Sequence, residues 1–308
     1  MPLTPTGEIV AAAATRRHAV AAFNVITLEH AEAIVTGAES AGQAVILQIS
    51  QNAVAFHHGK LGPITAAAAA VAASAAVPVG LHLDHVTSEA LLHEAPAHGY
   101  TSVMYDASDK PHTANVAATL AAARFAHEHG MWIEAELGTV AGKDGAPPLP
   151  AHAPGARTDP DEAAAYVAAT GVDALAVAVG SSHAMTDRTA VLDHQLITAL
   201  HHAVSVPLVL HGSSGVPDQQ LRQAVAAGMV KVNIGTALNV SYTQSIRDFL
   251  TGDANRAKPT VDPRKYLTRA REAVTSTVAH FATLLANPPS GGRRSAAGPS
   301  GESVTLQC

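Results

Sequence analysis

The sequence predicts a single (β/α)8 barrel, the TIM-barrel architecture, with an N-terminal helix and a C-terminal helical extension. Eight strand-like runs alternate with helical patterns along 308 residues, and a barrel of this type needs about 250. Most of the runs are apolar on both faces, as in a parallel sheet covered by helices. An open doubly wound sheet is the alternative. It would place a glycine-rich phosphate loop after the first strand, where this chain reads AFNVITLEH.

The elements follow one another in the order that βα units require. The strands are predicted at 21–25, 44–50, 78–84, 101–106, 131–137, 174–180, 207–212 and 230–235. The helices between them end near glycines, which commonly terminate helices: Gly42, Gly99, Gly130, Gly171 and Gly228.

Four further segments flank or interrupt this pattern. A helix near 6–17 is placed to close the bottom of the barrel, and a long helix is predicted from Asp262 to about Ala286. Residues 1–287 therefore form one domain, whereas 288–308 are rich in Pro, Gly and Ser and are predicted to be disordered. The connection 138–158 is long and rich in glycine and proline, which is typical of a functional lid or a disordered loop.

Composition narrows the possible partners. The net charge of -6 argues against a nucleic-acid-binding surface. The single cysteine, Cys308, leaves no disulfide within the chain and indicates a reducing compartment. The start of the chain lacks a signal-peptide pattern, and the uncharged stretch 64–81 is mostly alanine, interrupted by Pro78 and Gly80. We therefore expect a cytoplasmic protein that contacts neither nucleic acid nor membrane.

Polar residues collect at the ends of the predicted strands and not at their starts. Barrel enzymes carry their reactive groups at this end, so this distribution predicts the active site. The residues are Asn24, Ser50, Asp84, His85, Asp106, Ser108, Glu134, Glu136, Ser182, His183, His211, Gly212, Ser213, Ser214, Asn233, Gly235 and Thr236.

Three of these, His85, His183 and His211, can converge on one metal ion. Three nitrogen ligands leave a position open for substrate, as at catalytic zinc sites. A single histidine among eighteen is more often a satisfied polar residue near the core. Three at separate strand ends, with carboxylates between them, favour a metal site. Imidazole ligands indicate zinc, and cobalt, manganese and iron remain open.

The carboxylates near these histidines are predicted to have different roles. Adjacent residues on a strand point to opposite sides, so Asp84 accompanies His85 in the mouth only if the strand has already turned. It is then either an acid/base or a cap for the next helix. Glu134 and Glu136 share one face of their strand and are placed to orient metal-bound histidines.

Two turns at adjacent strand ends suit an anion. HGSSG (211–215) and NIGT (233–236) offer backbone N–H groups, hydroxyls and helix N-termini, and barrels commonly bind phosphate here. The alternative is a pair of ordinary turns with Ser and Thr as N-caps. Schiff-base chemistry would need a lysine inside the barrel. The sixth strand has none, and Lys231 is predicted near the start of the eighth, on the wrong side of the site.

Over residues 5–286 the sequence resembles the class II, metal-dependent ketose-bisphosphate aldolases. The matching motifs are AFNV, HLDH, GYTSVMYDAS, EAELG, TDPDEAAAYV, GVDALAVAVGSSH, PLVLHGSSGVP, KVNIGT and DPRKYL. The resemblance implies cleavage of fructose or tagatose 1,6-bisphosphate to dihydroxyacetone phosphate and glyceraldehyde 3-phosphate through a metal-stabilised ene-diolate.

The resemblance also implies roles for individual residues. Zinc is held by His85, His183 and His211, and Asp84 takes and returns a hydroxyl proton. A monovalent cation is common in the family. Arg264 reaches the site of a neighbouring subunit and binds the distal phosphate, which implies a homodimer or homotetramer. The triose phosphate is bound by Gly212, Ser213, Asn233 and Thr236, and the rest of the substrate by Asn24 and Ser50.

The chain departs from the family pattern at two places. Ala184 replaces the usual glycine after the sixth-strand histidine. The fifth loop reads GKDG, one residue short, so Asp144 is the acid nearest to the position where relatives use a glutamate to move a proton at the ene-diolate carbon. The alternative is that Asp144 is a turn residue before Gly145. These changes leave two alternatives to the bisphosphate aldolase: the same mechanism on another phosphorylated ketose, and a metal- and sugar-phosphate-binding homologue with little activity. The intact Asp84 favours an enzyme.

Overall fold

The computed structural model describes residues 3–138, 156–257 and 259–287. Its eight parallel strands close a barrel in the order β1 to β8, because β8 pairs with β1. The predicted barrel is confirmed and the open sheet is wrong. The strands are β1 Val20–Asn24, β2 Val45–Ser50, β3 Val79–Val86, β4 Ser102–Tyr105, β5 Trp132–Leu137, β6 Ala174–Val177, β7 Leu208–Leu210 and β8 Met229–Ile234.

Twelve α-helices occur in the described part of the chain, with 3-10 turns at Ala95–His98 and Ser213–Gly215. The helices are α1 Thr6–Thr15, α2 Leu28–Ala41, α3 Gln51–Phe56, α4 Leu61–Ala73, α5 Glu89–Glu94, α6 His112–Glu128, α7 Pro160–Thr170, α8 His194–Ala203, α9 Asp218–Ala227, α10 Thr236–Thr251, α11 Asp253–Ala257 and α12 Pro263–Ala286.

Strands β6 and β7 are shorter than predicted. Gly180 and Gly212 follow them with φ of +119° and +65°, a left-handed backbone that ends an extended run. The polar residues expected at the strand ends therefore lie in the loops that follow.

Helix α1 covers the lower end of the barrel. Ile9 and Val10 pack with Val20 and Ile46 in a buried cluster below the polar part of the barrel. The Ser102 hydroxyl donates to Thr6 Oγ1 at 2.7 Å, which ties the start of α1 to β4. The helix expected near 6–17 thus lies where a bottom plug would lie.

Helix α12 packs against the outside of α2 and α10. Its start is capped by Asp262, whose carboxylate accepts from the Arg264 backbone N–H at 3.1 Å. The contact with α2 is close at Gly37, where an added Cβ would lie 2.6 Å from Thr275 O and 2.7 Å from Val278 Cβ.

Three predictions fall outside the described residues: the role of Asp144, the lid or disordered loop at 138–158, of which 139–155 are not described, and the disorder of 288–308. Among the helices that the structure does describe, none is both long and apolar enough to cross a membrane.

Candidate active site

The upper half of the barrel interior is polar because polar residues occupy alternate positions on three of the strands. Alternate residues of a strand share a face, so one pair from each of three strands points to the barrel axis. These inward residues are His82 and Asp84 on β3, Glu134 and Glu136 on β5, and Lys231 and Asn233 on β8, and all are buried. A core with this much polarity requires hydrogen-bond partners for nearly every group.

His85, His183 and His211 converge above this core. One ring nitrogen of each lies within 4.8 Å of one from the other two, and the ring centroids are 4.8 to 5.8 Å apart. Around tetrahedral zinc, with Zn–N bonds of roughly 2.0–2.1 Å, ligand nitrogens are about 3.4 Å apart. Side-chain movements on the order of 1 Å would therefore bring all three onto one ion, so the donor set fits zinc.

A turn in β3 brings both Asp84 and His85 to the mouth. His85 has φ +49°, and the β3–β4 register shifts between Leu83 and Val86. The strand has turned at this point, and both side chains line the same cavity. Ser88, and not Asp84, caps α5 by accepting from Leu91 N at 3.3 Å. The capping alternative for Asp84 is therefore wrong.

Carboxylates orient two of the histidines. In His211, Nδ1 lies 2.9 Å from Glu136 Oε2 and Nε2 lies 2.8 Å from Glu134 Oε1. Burial would lower the pKa of His211, but the two carboxylates outweigh it and raise the pKa to about 9. A metal ligand must be neutral imidazole, so zinc at His211 would replace both its proton and one carboxylate contact.

Asp106 performs the same role for His85, which the sequence analysis did not foresee. Its Oδ2 lies 3.0 Å from His85 Nδ1, and its Oδ1 accepts from the backbone and hydroxyl of Ser108 at 3.1 and 2.6 Å. Asp106, His85 and Glu136 also form a second group with donor atoms within 4.8 Å. The position of Asp106 at the end of β4 was the available signal.

Lys231 corrects a second expectation. It is buried inside the barrel, and its ammonium donates to Glu134 Oε2 and to Asn233 Oδ1, both at 2.8 Å. Burial would raise the pKa of Glu134, but Lys231 and His211 hold it well below its usual range. Alternation with Asn233 on one strand face would have predicted this inward position. Lys231 is not among the residues that line the cavity.

Asp84 is a buried carboxylate with one oxygen unpaired. Its Oδ1 has no hydrogen-bond partner among the described residues, and the nearest cation-forming atom, His82 Nε2, is 4.0 Å away. Burial opposes its ionisation, but His85 and Lys231 lower the pKa below its usual value. His82 stays neutral because burial lowers its pKa to about 3. Asp84 is therefore an ionised group free to accept a proton.

The end of the barrel that carries the three histidines opens into a cavity of about 420 Å³. Of the residues predicted to bind substrate, only Arg264 lies outside its wall. The residues that line it are Asn24, Ser50, Gly212, Ser213, Ser214, Asn233, Gly235 and Thr236. Gln48 also lines it and donates to Asn24 Oδ1 at 2.9 Å. The sequence analysis missed Gln48, although it shares a strand face with Ser50.

The two turns expected to bind phosphate lie side by side in this wall. The N-cap residues of the 3-10 turn at Ser213–Gly215 and of α10 are Gly212 and Gly235, so neither element is capped locally by a Ser or Thr as the alternative expected. Instead Ser214 Oγ accepts from Ala237 N at 3.0 Å and joins the two turns. The N-terminus of the sixteen-residue α10 adds a positive partial charge suited to an anion.

Arg264 and Ala184 have distinct surroundings. Arg264 is 88% exposed, outside the cavity, and donates through Nε and Nη2 to its own Asp262. One chain alone thus does not bring it to the site. Ala184 lines the cavity next to His183 with φ +58°. A left-handed alanine is strained by roughly 1–2 kcal/mol relative to glycine, so the family's glycine suits this backbone better.

A closed barrel with three convergent histidines and an adjoining anion cradle defines a class of metal-site barrel enzymes. The family model described as "Fructose-bisphosphate aldolase class-II" matches residues 4–288. The chain therefore belongs to the class II fructose-bisphosphate aldolase family, whose members are generally metal-dependent. It is an aldolase, a carbon–carbon lyase that acts on a phosphorylated sugar.

Individual relatives agree with this assignment. The chain is 35% identical to the fructose-bisphosphate aldolase of Staphylococcus aureus strain Mu50 over 280 residues, which cover 90% of this chain and 95% of the relative. Identity to the probable fructose-bisphosphate aldolase of Bacillus subtilis strain 168 is 36% over 281 residues, with the same coverage. The crystal structure of the YdjI aldolase from Escherichia coli K12 is similar, with a TM-score of 0.78 and 30% identity over 93% of this chain and 98% of that one.

Proposed function

We propose that this chain is a zinc-dependent aldolase that reversibly cleaves a ketose 1,6-bisphosphate to dihydroxyacetone phosphate and glyceraldehyde 3-phosphate. One observation carries the proposal: the buried carboxylate of Asp84, whose Oδ1 has no partner among the described residues, lines the same cavity as His85, His183 and the residues of the phosphate cradle. Fructose 1,6-bisphosphate is the first substrate to consider because relatives bear its name, and tagatose 1,6-bisphosphate is the second.

The protein groups divide the work of cleavage. Zinc held by His85, His183 and His211 would supply a Lewis acid for the ketone oxygen of the substrate. Asp84 accepts the proton of the hydroxyl whose carbon becomes the aldehyde, and returns it during condensation. Glu134, Glu136 and Asp106 hold the histidine rings in place.

Substrate binding follows the cavity wall. The phosphate cradle comprises Gly212, Ser213, Ser214, Asn233, Gly235 and Thr236. It binds the triose phosphate, and Asn24 and Ser50 bind the remaining hydroxyls of the substrate. Arg264 of a second copy binds the distal phosphate in a homodimer or homotetramer. Asp144, on the loop outside the described residues, transfers the proton at the reactive carbon. A monovalent cation near the phosphate completes the proposal.

A second candidate keeps the mechanism and changes the substrate. Ala184 adds a methyl group to the cavity wall beside His183, where the family usually has glycine. The added methyl group narrows the cavity beside His183, and a narrower cavity favours a phosphorylated ketose other than the bisphosphate.

The test is a panel of fructose 1,6-bisphosphate, tagatose 1,6-bisphosphate and fructose 1-phosphate, assayed for release of triose phosphate. We expect cleavage that a chelator abolishes and that added zinc restores, with zinc-saturated chelator as the control. Cleavage of fructose 1-phosphate alone would favour the second candidate. Zinc binding without cleavage of any ketose would instead indicate a homologue with little activity, and chelator-resistant cleavage would contradict the zinc mechanism.

A further inference from the structure

Two of the three metal-binding histidines lie on neighbouring loops that contact each other directly. The β6–α8 loop (178–193) carries His183, and the β7–α9 loop (211–217) begins with His211. An added Cβ at Gly212 would lie 2.6 Å from the backbone C and O of Ser182, so the two backbones are in contact beside the metal site. The separation of His183 and His211 therefore depends on how these loops pack.

Backbone and side-chain contacts continue this packing away from the site. The Ala190 N–H donates to Gly215 O at 2.9 Å. The Met185 side chain covers Gly215, where an added Cβ would lie 2.5 Å from Met185 Cβ. These contacts amount to one backbone hydrogen bond and a small apolar contact between Met185 and Gly215. They leave the outer half of the β6–α8 loop to be held by other groups.

Arg188 supplies the strongest polar contacts between the loops. Its Nε and Nη2 donate to Val216 O at 3.0 and 2.6 Å, and Nη2 lies 2.6 Å from Asp218 Oδ1. The guanidinium carbon stands 5.1 Å from the centre of the buried Phe281 ring. One side chain of the β6–α8 loop thus joins the β7–α9 loop, the start of α9 and helix α12.

The acidic partner of Arg188 is itself held in place. His280 Nε2 on α12 lies 3.0 Å from Asp218 Oδ2. Partial burial would raise the pKa of Asp218, but its hydrogen bonds with His280 and Arg188 outweigh that effect and lower it. Asp218 is therefore ionised at neutral pH, and hydrogen bonds between two charged groups are stronger than neutral ones.

We propose that Arg188 is a positioning residue for the metal site: it holds the β6–α8 loop against the β7–α9 loop and thereby sets the separation of His183 and His211. This inference rests on the proposed function, because the metal concerned is the zinc bound by those histidines. The contacts need the geometry of guanidinium, since an ammonium cannot bind a carbonyl and a carboxylate through a planar fork while stacking on a ring.

The expected effect is on metal affinity. Groups that orient metal ligands from outside the coordination sphere typically change affinity 10–100-fold when they are removed. Arg188→Met keeps an apolar stem against Phe281 and removes all donors. We expect its zinc dissociation constant, measured by competition with a chromophoric chelator, to rise about 10-fold. Arg188→Lys should fall between Arg188→Met and the wild type.

Arg271→Met provides a matched control. Arg271 Nη1 on α12 pairs with Glu32 Oε2 on α2 at 2.6 Å, and the exposure of this pair is close to that of Arg188 and Asp218. Neither Arg271 nor Glu32 lines the active-site cavity. Arg271→Met removes an ion pair of similar exposure that also holds α12, but one that lies away from the histidines. The zinc affinity of Arg271→Met should therefore stay within about twofold of the wild type.

Amide hydrogen exchange adds a readout that does not depend on metal. Arg188→Met should exchange faster in 178–193 and 211–217, while segments that Arg188 does not contact stay unchanged. Equal zinc affinity in Arg188→Met and wild type, or equal weakening in Arg271→Met, would overturn the inference while the proposed function stands. A wild-type chain that takes up no zinc would overturn both. Unchanged exchange in these two segments would also overturn the role of Arg188.

Discussion

Asp84 combines two properties that rarely occur together, full burial and an unpaired carboxylate oxygen. An isolated buried charge is costly unless nearby opposite charges offset the lost hydration. Here His85 and Lys231 provide that offset, and they lower the pKa of Asp84. The carboxylate thus stays ionised in the wall of the cavity, where a general base for the substrate is needed.

Replacement of this carboxylate by an amide should separate catalysis from metal binding. Asp84→Asn keeps the shape of the side chain but cannot accept the substrate proton. We expect kcat for ketose bisphosphate cleavage to fall by ~10² or more, while zinc content stays at the wild-type level. Steady-state kinetics and elemental analysis of the same preparation check both. A variant with a near-normal kcat would remove Asp84 from the proton transfer.

His183 is expected to be indispensable for zinc. Its ring lies 5.2 Å from that of His85 and 5.8 Å from that of His211, so it completes the triangle of ligands. Elemental analysis after purification without added metal should find about one zinc per wild-type chain and little in His183→Ala. His202→Ala, at an exposed position on α8, is the control and should keep its zinc. Full occupancy in His183→Ala would exclude it as a ligand.

At the level of elements, the close packing of α12 against α2 stabilises the outer helical layer of the barrel. A glycine in the middle of a helix normally destabilises it by about 1 kcal/mol relative to alanine. Gly37 is nevertheless required, because the position that a Cβ would occupy is already filled by the backbone of Thr275 and the side chain of Val278. Close approach of the two helices therefore outweighs helix propensity at this residue.

Gly37→Ala should lower the free energy of unfolding by about 1–3 kcal/mol, the usual range for overpacking. Urea unfolding measures this change, and zinc content should stay normal because Gly37 does not line the cavity. Ser40→Ala, at an exposed position of the same helix, should change stability by less than about 0.5 kcal/mol. An unchanged or higher stability of Gly37→Ala would show that α12 moves easily from α2.

At the level of the whole molecule, the open question is whether one chain holds a complete site. Arg264 is exposed, bound to Asp262 and outside the cavity of its own chain. If a second copy supplies it, two different inactive variants can rebuild a working site at their interface. In an equal mixture of Asp84→Asn and Arg264→Ala that exchanges as dimers, about a quarter of the sites would be intact.

The mixture should therefore cleave ketose bisphosphate faster than the sum of the two variants assayed apart. Mixing each variant with itself is the control for handling. Activity in the mixture equal to that sum would contradict a shared site. Arg264 would then act within its own chain or not bind the distal phosphate.

Local patterns along the chain were sufficient for the architecture. Apolar runs of strand length, spaced by helical segments that end in glycine, predicted the barrel because each of these signals depends only on neighbours in sequence. The same alternation placed His85, His183 and His211 at strand ends, and the rule that parallel barrels expose those ends predicted one site. The same alternation also predicts that Gln48 shares a strand face with Ser50, and Lys231 with Asn233.

Other features depend on pairs of residues far apart in the chain, and the closed barrel decides them. The left-handed turn at His85 reverses the orientation that strand alternation predicts. Asp106 meets His85 because β4 pairs with β3, and Glu134 meets Lys231 because the closed barrel brings the inward faces of β5 and β8 together. Arg188 meets Asp218, 30 residues later in the chain, because the β6–α8 loop packs against the β7–α9 loop and the start of α9. Such contacts are set by packing in three dimensions, because a one-residue slip in register would redirect every side chain involved.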